Sequence, residues 1–547
     1  MTDWSRATGE GYALTFGYAD EEAFVQTVQD LAGDHVASRI AAGDATLWGS
    51  DAEEEAGKRL GWVDLTETSR PLVAQVEALR DELAAAGVTR VVLCGMGGSS
   101  LAPEVVCGAA GVELGVLDSS DPDYVRGFLT DRLEQTVVVV SSKSGGTVET
   151  DSQKRAFEQA FRDAGIDPRR RIVVVTDPGS PLSQSAEADG YRVFLADPSV
   201  GGRYSALTAF GLVPSGLAGA DIGSLLDQAA ALRPALEEDS VDNPGLRLGA
   251  LIGAANARGV DKLVLAAADA PYPGLGDWIE QLVAESTGKL GKGVLPVVVE
   301  GTDAPNLDPS TRDEVLVSYG TGFPFDTCPP ASGWGAAVDA TLGGQLLLWE
   351  YATVVAGRVI GINPFDQPDV ESAKAAAREM LDGGGAQPEP AFTAGDVTVY
   401  ASPGWLPADV ATLDGAVEAL LGQLDAERGY LAVQAYLDRT RDAELGAVRA
   451  ELAVRTGRPV TFGWGPRFLH STGQYHKGGP ATGVYLQVTT APEADLEVPG
   501  RPFTFGEFIE AQAVGDGQVL ADKHRPVLRL HLASPAALAT VRAALAS

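Results

Sequence analysis

The sequence predicts an α/β protein with two doubly wound parallel sheets, each covered by helices on both faces. From about residue 70, short β-branched runs alternate with longer segments of helical periodicity, the pattern of strands joined by crossover helices. The alternation pauses at the polar segment 239–243 and then restarts, and 547 residues are ample for two large units. We therefore expect a helical lead-in over 1–70, a first unit over 71–238 and a second over 239–547.

The first predicted unit has five strands and three helices. Its strands are expected at Arg90–Cys94, Val112–Leu117, Thr136–Ser141, Arg171–Thr176 and Tyr191–Leu195. Apolar residues recur at helical spacing between them, which predicts helices over Leu101–Ala109, Val148–Ala164 and Pro181–Ala188.

The second predicted unit is interrupted. It opens with helices Leu246–Arg258 and Leu275–Ser286 and strands Lys262–Ala267, Val294–Val299 and Glu314–Ser318. Beyond Pro403 we interpret residues 404–458 as an insertion, made of the helical stretches Ala408–Leu424 and Ala443–Thr456. The unit then resumes over 459–547, as a C-terminal extension with strands Val460–Trp464, Val484–Thr489 and Val527–Leu532 and helix Phe505–Ala521.

The chain is strongly acidic. Its 41 Lys and Arg residues against 75 Asp and Glu give a net charge of −34, which disfavours nucleic acid and anionic membranes as partners but leaves room for a local basic pocket. Residues 1–11 lack the pattern of a secretory signal. The apolar stretch 340–362 is interrupted by Glu350 and Arg358 and is expected to be a buried helix rather than a membrane span. We expect a cytoplasmic protein.

Metal and disulfide chemistry are not expected. Cys94, Cys107 and Cys328 are odd in number and lack metal-ligand spacing, so we interpret them as small buried hydrophobic residues. No cluster of His, Asp and Glu at ligand spacing is evident in the sequence. We therefore predict no metal and no cofactor, and activity that chelators do not affect.

Two loops at strand ends are candidates for phosphate binding. Gly95-Met-Gly-Gly-Ser (95–99) follows the first strand, where glycines let a backbone approach an anion, although a tight turn without a ligand explains it equally well. A nicotinamide-dependent dehydrogenase is the alternative on fold grounds, but this loop lacks the third glycine of the dinucleotide fingerprint.

The second loop, Ser142-Lys-Ser-Gly-Gly-Thr (142–147), gives a sharper signal. Ser142, Ser144 and Thr147 gather with Lys143 at the end of a buried strand and the start of a helix, so several hydroxyls and amides can converge on one phosphoryl group. Ordinary helix capping by Thr147 explains one of these hydroxyls. Three hydroxyls with two glycines favour phosphate binding.

These segments, with Val200-Gly-Gly-Arg-Tyr-Ser (200–205), resemble the phosphoglucose isomerase family, which is built from two sugar isomerase (SIS) domains. The resemblance extends to Gln281-Leu-Val-Ala-Glu-Ser-Thr-Gly-Lys (281–289) and to Asn363-Pro-Phe-Asp-Gln-Pro-Asp-Val-Glu-Ser-Ala-Lys (363–374). It implies the catalytic residues Arg203, Glu285 and Lys374, and the substrate or phosphate ligands Gly98, Ser99, Ser142, Lys143, Ser144, Thr147, Gln281 and Gln367. Without it, Glu285 beside Lys289 is better explained as a helical surface ion pair.

The histidine block lies in an unusual place. Leu469-His-Ser-Thr-Gly-Gln-Tyr-His-Lys-Gly-Gly (469–479) follows Lys374, whereas in the family the corresponding block usually precedes the lysine. This order is similar to that of the isomerase portion of bifunctional transaldolase–phosphoglucose isomerases. The resemblance assigns ring opening to His470, with His476 as the alternative, and implies a homodimer in which the histidine acts within one chain or across the interface.

The resemblance implies an aldose–ketose isomerase that converts glucose 6-phosphate and fructose 6-phosphate in glycolysis and gluconeogenesis, through ring opening and cis-enediol proton transfer. Two alternatives stay open. A dual phosphoglucose/phosphomannose isomerase needs extra space near C2. A non-catalytic SIS protein that senses sugar phosphates would have no use for Glu285, Arg203 and Lys374 together.

Overall fold

The computed structural model describes residues 4–322, 329–381 and 388–546, so Cys328 lies outside the described residues. It has the predicted α/β class with parallel-sheet domains, but its strands form three sheets rather than two. In chain order the strands are β1 (Ser5–Gly9), β2 (Tyr12–Gly17), β3 (Arg90–Gly95), β4 (Gly115–Leu117), β5 (Thr136–Ser141), β6 (Ile172–Thr176), β7 (Arg192–Leu195), β8 (Lys262–Ala267), β9 (Leu295–Val298), β10 (Glu314–Tyr319), β11 (Gly335–Ala340), β12 (Phe392–Ala394), β13 (Val397–Ala401), β14 (Tyr430–Tyr436), β15 (Val460–Trp464), β16 (Gly483–Thr490) and β17 (Val527–Leu532).

Helices connect and cover these strands. They are α1 (Glu21–Gly33), α2 (Val36–Ala41), α3 (Ser50–Ala56), α4 (Leu65–Thr68), α5 (Pro71–Ala85), α6 (Leu101–Ala110), α7 (Pro122–Thr130), α8 (Val148–Asp163), α9 (Pro181–Asp189), α10 (Ala209–Ala218), α11 (Ile222–Glu237), α12 (Pro244–Asn256), α13 (Leu275–Thr287), α14 (Leu342–Ile360), α15 (Val370–Leu381), α16 (Leu413–Leu421), α17 (Val448–Thr456), α18 (Gly473–Gly478), α19 (Phe505–Asp522) and α20 (Leu538–Ala546).

The first sheet contains the five strands predicted for the first unit. Its order is β4-β3-β5-β6-β7, and all neighbours are parallel. Every residue of β3, β5 and β6 is buried, as expected for parallel strands covered by helices on both faces. The order reverses direction beside β3, and in such sheets ligands bind at the carboxyl ends of the strands near this reversal.

The second sheet includes part of the predicted helical lead-in. Its order is β1-β2-β11-β10-β8-β9, with the β1–β2 hairpin pairing antiparallel to β11, for example Phe16 opposite Ala336. The lead-in is therefore not purely helical. The hairpin strands are only five and six residues long, and their partner lies far along the chain, so local sequence gives little indication of them.

The third sheet differs from the expectation that the second unit resumes after an insertion. Its order is β12-β13-β17-β16-β14-β15, which repeats the second sheet's arrangement of an antiparallel hairpin beside four parallel strands. Strand β14, which pairs with both β15 and β16, lies inside the predicted insertion. The segment forms its own sheet because it buries its own apolar cluster, in which Leu431, Val433, Leu486 and Leu530 are almost completely buried.

The first and third sheets approach each other at the carboxyl ends of their strands. Arg467, which follows β15, pairs with Asp118, which follows β4, at 2.8 Å, and Arg439 after β14 donates to the Tyr124 hydroxyl at 2.8 Å. Helix α13 of the second unit packs against both α6 and α18. Strands and covering helices of all three sheets therefore meet at one place.

Helix α14 corresponds to the apolar stretch 340–362, in which Glu350 and Arg358 interrupt the hydrophobic run. Its residues from Leu342 to Gly357 are buried. Across the described ranges, we find no helix long and apolar enough to cross a membrane.

Candidate active site

Helix α13 brings Gln281 and Glu285 to the same buried place. Residues four apart share one face of a helix, and Gln281 Nε2 lies 3.4 Å from Glu285 Oε2. The same Nε2 atom donates to the backbone carbonyl of His470 at 2.8 Å. Both side chains are buried, so Glu285 is not the exposed ion-pair residue that the sequence alone favours.

Arg203 is fixed against Glu285. It lies in the single 3₁₀ turn Gly202–Tyr204, is only 3% exposed, and places its NH1 atom 3.5 Å from Glu285 Oε2. NH1 also donates to Gln367 Oε1, while NH2 donates to the carbonyls of Pro364 at 2.9 Å and Asp366 at 3.0 Å. The guanidinium is therefore held in one orientation with its charge directed at the Glu285 carboxylate.

Lys289 supports this arrangement and was not among the predicted site residues. Its Nζ donates to Asp366 Oδ1 at 2.6 Å and to the carbonyl of Asn363 at 2.7 Å. Burial, aided by the nearby charge of Arg203, lowers the pKa of Lys289 to about 8. By fastening the turn at 363–366, Lys289 fixes the carbonyls that hold Arg203.

Burial also determines the protonation behaviour of Glu285. Removal from water raises the pKa of this carboxyl above its ordinary value, although the charges of Arg203, His470 and Lys374 act in the opposite direction. A carboxyl group whose pKa moves toward neutrality is better suited to accept and return a proton.

His470 forms a pair with a buried carboxylate that the sequence reasoning missed. Its Nε2 lies 3.0 Å from Oε1 of Glu149, which also accepts a hydrogen bond from Gln512 Nε2 at 2.8 Å. Burial acts to raise the pKa of Glu149, but the charge and hydrogen bond of His470, with Lys374, hold it below its ordinary value. Glu149, Gln281 and His470 belong to one chain, so no partner subunit is needed to complete this pair.

The alternative histidine, His476, lies elsewhere. It is 2% exposed, stacks on Tyr430 and shares a 3.0 Å hydrogen bond with that tyrosine's hydroxyl. Burial holds the pKa of His476 well below its ordinary value. Its neighbour Lys477 pairs with Asp516 at 2.5 Å, and both of these side chains are buried. These residues form a packed interior rather than a site lining.

The 142–147 loop has its hydroxyls gathered as predicted. Ser142 Oγ donates to Thr147 Oγ1 at 3.2 Å and accepts from the Gly145 amide at 3.1 Å, while Ser144 Oγ accepts from the Gly146 amide at 3.2 Å. Thr147 occupies the N-cap position of α8, but its side chain accepts no hydrogen bond from the described amides of that helix. Helix capping thus does not account for its hydroxyl.

A cavity of about 200 Å³ joins this loop to His470. Its lining includes Ser144, Thr147, Glu149, Lys374 and His470. Lys374 extends from α15, is 37% exposed and pairs with Glu371 at 2.9 Å. The cavity therefore brings together the predicted phosphate loop, the predicted lysine and the predicted histidine.

Lys143 is the exception in its loop. Its Nζ pairs with Asp177 Oδ2 at 2.6 Å and donates to the carbonyl of Pro198 at 3.3 Å. It lines a different cavity, of about 280 Å³, together with Arg203 and Gln367. The expectation that Lys143 joins the hydroxyls around one phosphoryl group is not what the structure shows, because Asp177 at the end of the neighbouring strand draws the ammonium away.

The first glycine loop packs against the Arg203 turn. A Cβ atom on Gly98 would lie 2.0 Å from the Gly202 carbonyl oxygen, and one on Gly97, whose φ is +55°, would lie 2.8 Å from the carbonyl oxygen of His470. Gly98 also accepts a hydrogen bond from Ser205 Oγ at 3.4 Å. Ser99 is half-buried next to it. These glycines allow the chain segments that carry Arg203 and His470 to approach closely.

Among the described residues, the acidic, histidine and cysteine side chains do not gather into a metal site. Over residues 4–322, 329–381 and 388–546, no group of three or more His, Cys, Asp or Glu is placed to hold a metal ion. Cys94 and Cys107 are buried free thiols, and burial raises the pKa of Cys107 to about 12.

Comparison with known proteins connects this geometry to one family. Residues 66–295 match the family model of phosphoglucose isomerase. A glucose-6-phosphate isomerase from Rubrobacter xylanophilus is 30% identical over 381 residues, which cover 57% of this chain and 87% of the relative. A probable glucose-6-phosphate isomerase from Natronomonas pharaonis is 29% identical over 416 residues, covering 68% of this chain and 96% of the relative.

Two solved structures share the fold of this chain. A hypothetical protein from Thermus thermophilus superposes with a TM-score of 0.57 at 25% identity, over 67% of this chain and 99% of the other. A glucose-6-phosphate isomerase from Chlamydia trachomatis shares the fold with a TM-score of 0.54 at 20% identity, over 69% and 89% of the two chains. Since the relative from Rubrobacter is matched over most of its length, the chain belongs to the phosphoglucose isomerase family.

Proposed function

We propose that this chain is an aldose–ketose isomerase that interconverts glucose 6-phosphate and fructose 6-phosphate. One observation carries the proposal: the buried carboxylate of Glu285 faces the guanidinium of Arg203 at 3.5 Å, and Gln281 links it to the backbone carbonyl of His470, whose ring pairs with Glu149. Moving a proton between adjacent carbons requires a base, a fixed positive charge for the oxyanion and a group that opens the sugar ring. The three are gathered here.

Substrate phosphate binding is assigned to the 142–147 loop. The hydroxyls of Ser142, Ser144 and Thr147 and the amides of α8's first turn offer several donors to one phosphoryl group, and Ser144 and Thr147 line the cavity that His470 shares. Lys143, which pairs with Asp177, is assigned a different place, on the cavity that Arg203 and Gln367 line, rather than at the phosphate.

Ring opening is assigned to His470 and Lys374. His470 delivers a proton to the ring oxygen, and Lys374 assists removal of the proton from the C1 hydroxyl, so that the C1–O5 bond breaks and the aldehyde forms. Glu149 accepts the hydrogen bond of the His470 ring and fixes its orientation. Gln512 holds that carboxylate from the opposite side.

Proton transfer between C2 and C1 is assigned to Glu285. The carboxylate takes the C2 proton, and the electrons move to the C1 carbonyl oxygen to give the enediolate. The proton of the C2 hydroxyl then passes to the C1 oxygen, and the same carboxyl returns its proton to C1 as the C2–O bond becomes the ketone. Arg203 stabilises the enediolate charge because its guanidinium stays protonated and fixed. Arg203 Nε and Gln281 Oε1, buried without a hydrogen-bond partner among the described residues, are available to the sugar hydroxyls.

We further propose that the enzyme acts in the cytoplasm, in glycolysis and gluconeogenesis, as a homodimer. The substrate pair supports the first two points, and the family resemblance supports the third. Analytical ultracentrifugation at micromolar concentration should give twice the chain mass of 56.7 kDa. A purely monomeric species would contradict the dimer without affecting the proposed chemistry.

A coupled assay on glucose 6-phosphate and mannose 6-phosphate tests the function. Wild type should convert glucose 6-phosphate, and His470→Asn should lose about 10²-fold in kcat because the ring-opening acid is gone. His35→Asn is the matched control: His35 is exposed and has a φ of 57°, a conformation that asparagine tolerates. Turnover of mannose 6-phosphate would extend the substrate range, whereas tight sugar-phosphate binding without turnover would mean a sensor rather than an enzyme.

A further inference from the structure

A row of polar side chains crosses the third sheet, away from the proposed active site. Tyr400 on β13 is directly opposite Arg529 on β17, Arg529 is opposite Gln487 on β16, and Gln487 is opposite Gln434 on β14. Residues paired across neighbouring strands lie on the same face of a sheet. This face is covered by helix α19, so the polar row is inside the protein.

Arg529 is unusual within this row. The residue is 6% exposed, yet it makes no ion pair and no side-chain hydrogen bond with the residues that the structure describes. Its contact is the ring of Tyr400, whose centroid lies 4.1 Å from the guanidinium carbon, a cation–π interaction. Buried guanidinium groups normally have a carboxylate or carbonyl partner because an unpaired buried charge is costly.

The guanidinium borders a cavity of about 310 Å³. The cavity is also lined by Tyr400, Gln487 and the α19 residues Gly517, Gln518 and Ala521. Gln487 donates through Nε2 to Asp516 Oδ2 at 3.3 Å and to Gln434 Oε1 at 3.2 Å. Because the Asp516 carboxylate can only accept, this fixes the amide orientation and leaves Oε1 of Gln487 as a free acceptor.

We propose that this cavity binds a small metabolite carrying an oxyanion group, phosphate or carboxylate, with Arg529 as its principal ligand. The guanidinium fork matches the two oxygens of such a group, the Tyr400 ring fixes the fork from one side, and Gln487 Oε1 accepts from a neighbouring hydroxyl of the ligand. None of these residues belongs to the proposed catalytic cluster.

The acidic groups nearby leave the positive charge unpaired. Glu389 lines the cavity and Glu510 on α19 acts on Arg529 electrostatically, but within the described residues neither forms an ion pair with it. Glu510 is exposed to solvent, where its interaction is screened. An incoming oxyanion would therefore be the closest negative charge to the guanidinium.

The test uses the full chain and two probes, inorganic phosphate and malate, titrated by calorimetry against chloride at equal ionic strength. Since the 142–147 loop is itself a proposed phosphate site, all titrations use the Ser142→Ala/Thr147→Val background. We expect one remaining site for phosphate, malate or both, and Arg529→Gln should weaken it at least about tenfold by removing the charge-assisted hydrogen bonds. Which probe binds identifies the oxyanion.

Two further variants keep the proposal falsifiable. Ala521→Leu fills the cavity while leaving Arg529 in place and should also abolish binding, which covers the case in which Arg529→Gln does not fold. Arg542→Gln is the matched control, since Arg542 is a surface arginine of the same unit paired with Glu444. Titrations of the background that show no site for either probe, or a site insensitive to both Arg529→Gln and Ala521→Leu, would overturn the proposal. The result does not depend on turnover, so it stands apart from the proposed catalysis.

Discussion

Replacing Glu285 by glutamine should abolish most of the activity while leaving the fold intact. The amide keeps the shape of the side chain and its place beside Arg203 NH1, 3.5 Å away in wild type, but it cannot accept a proton from carbon. Loss of a general base costs about 10² to 10⁴-fold in rate. We expect kcat in the coupled glucose 6-phosphate assay to fall in this range, with a smaller change in KM.

Glu285→Asp tests position rather than chemistry. The carboxylate is retained but retracts by one carbon–carbon bond, about 1.5 Å. A displacement of about 1 Å costs roughly 10²-fold when a reacting group must meet its target. The aspartate variant should therefore lose about 10²-fold and retain the bell-shaped pH dependence that the glutamine variant loses.

Glu285→Gln should change the stability of the fold little. Burial raises the pKa of Glu285, so between the unfolded and the folded pKa of this carboxyl the folded chain keeps a proton that the unfolded chain has released, and stability falls as pH rises through that window. Glu285→Gln removes this pH-dependent loss of stability, while Arg203 keeps its hydrogen bonds to the carbonyls of Pro364 and Asp366. The free energy of unfolding at pH 8 should be no more than about 1 kcal/mol below wild type.

Glu280→Gln is the matched control on the same helix. Burial, with the charge of Asp277, raises the pKa of Glu280 to about 8, but this residue lines a different cavity, next to Arg449 and Trp464. Its glutamine variant should keep kcat within about twofold. The assignment of Glu285 as the base is refuted if Glu285→Gln retains more than a tenth of wild-type kcat in a folded protein, or if Glu280→Gln loses as much as Glu285→Gln.

Three other outcomes follow from the packing. Glu149→Gln should lower kcat by about 10 to 10²-fold because the His470 ring loses its charged partner, and an unchanged kcat and pH profile would contradict that role. Gly98→Ala should reduce both activity and thermal stability, since its Cβ would lie 2.0 Å from the Gly202 carbonyl, whereas Gly127→Ala, with no atom within 4 Å of the new Cβ, should reduce neither. The buried carboxyl of Glu350 has no hydrogen-bond partner among the described residues, and burial raises its pKa well above the ordinary value. The stability gained by Glu350→Gln in denaturant titrations should therefore grow as pH rises above the ordinary carboxyl pKa, by up to about 1.4 kcal/mol per pH unit. A difference that does not change with pH would contradict this.

The local sequence pattern predicts the bounds of a strand correctly where the strand is buried as one continuous apolar run. Thr136–Ser141 and Lys262–Ala267 have the predicted bounds, because an unbroken apolar strand bounded by polar turns has few other solutions. Tyr430–Tyr436 was missed. Its Ala and Gln residues have weak β preference, and its strand character comes from pairing with β15 and β16, which the local sequence does not reveal.

Some of the site residues can likewise be predicted from the local sequence, and others cannot. The hydroxyls of Ser142 and Thr147 are five positions apart, so the loop motif alone brings them together. Glu149 meets His470 across hundreds of residues, and in the sequence it looks like an ordinary acidic residue in the first turn of a helix. The only available signal was its position directly after the predicted phosphate loop. Similarly, no local feature of the sequence indicates that Lys143 forms an ion pair with Asp177.

The N-terminal hairpin sets the order in which this chain can fold. Strand β2 completes the second sheet by pairing with β11, as when Leu14 meets Val338, and the whole first unit lies between them in the sequence. Closing so long a loop carries a large entropic cost and is slow compared with forming local contacts. During synthesis the first unit can therefore fold around its own strands before β2 pairs with β11. The hairpin should dock late and protect the edge of β11 from pairing with another chain.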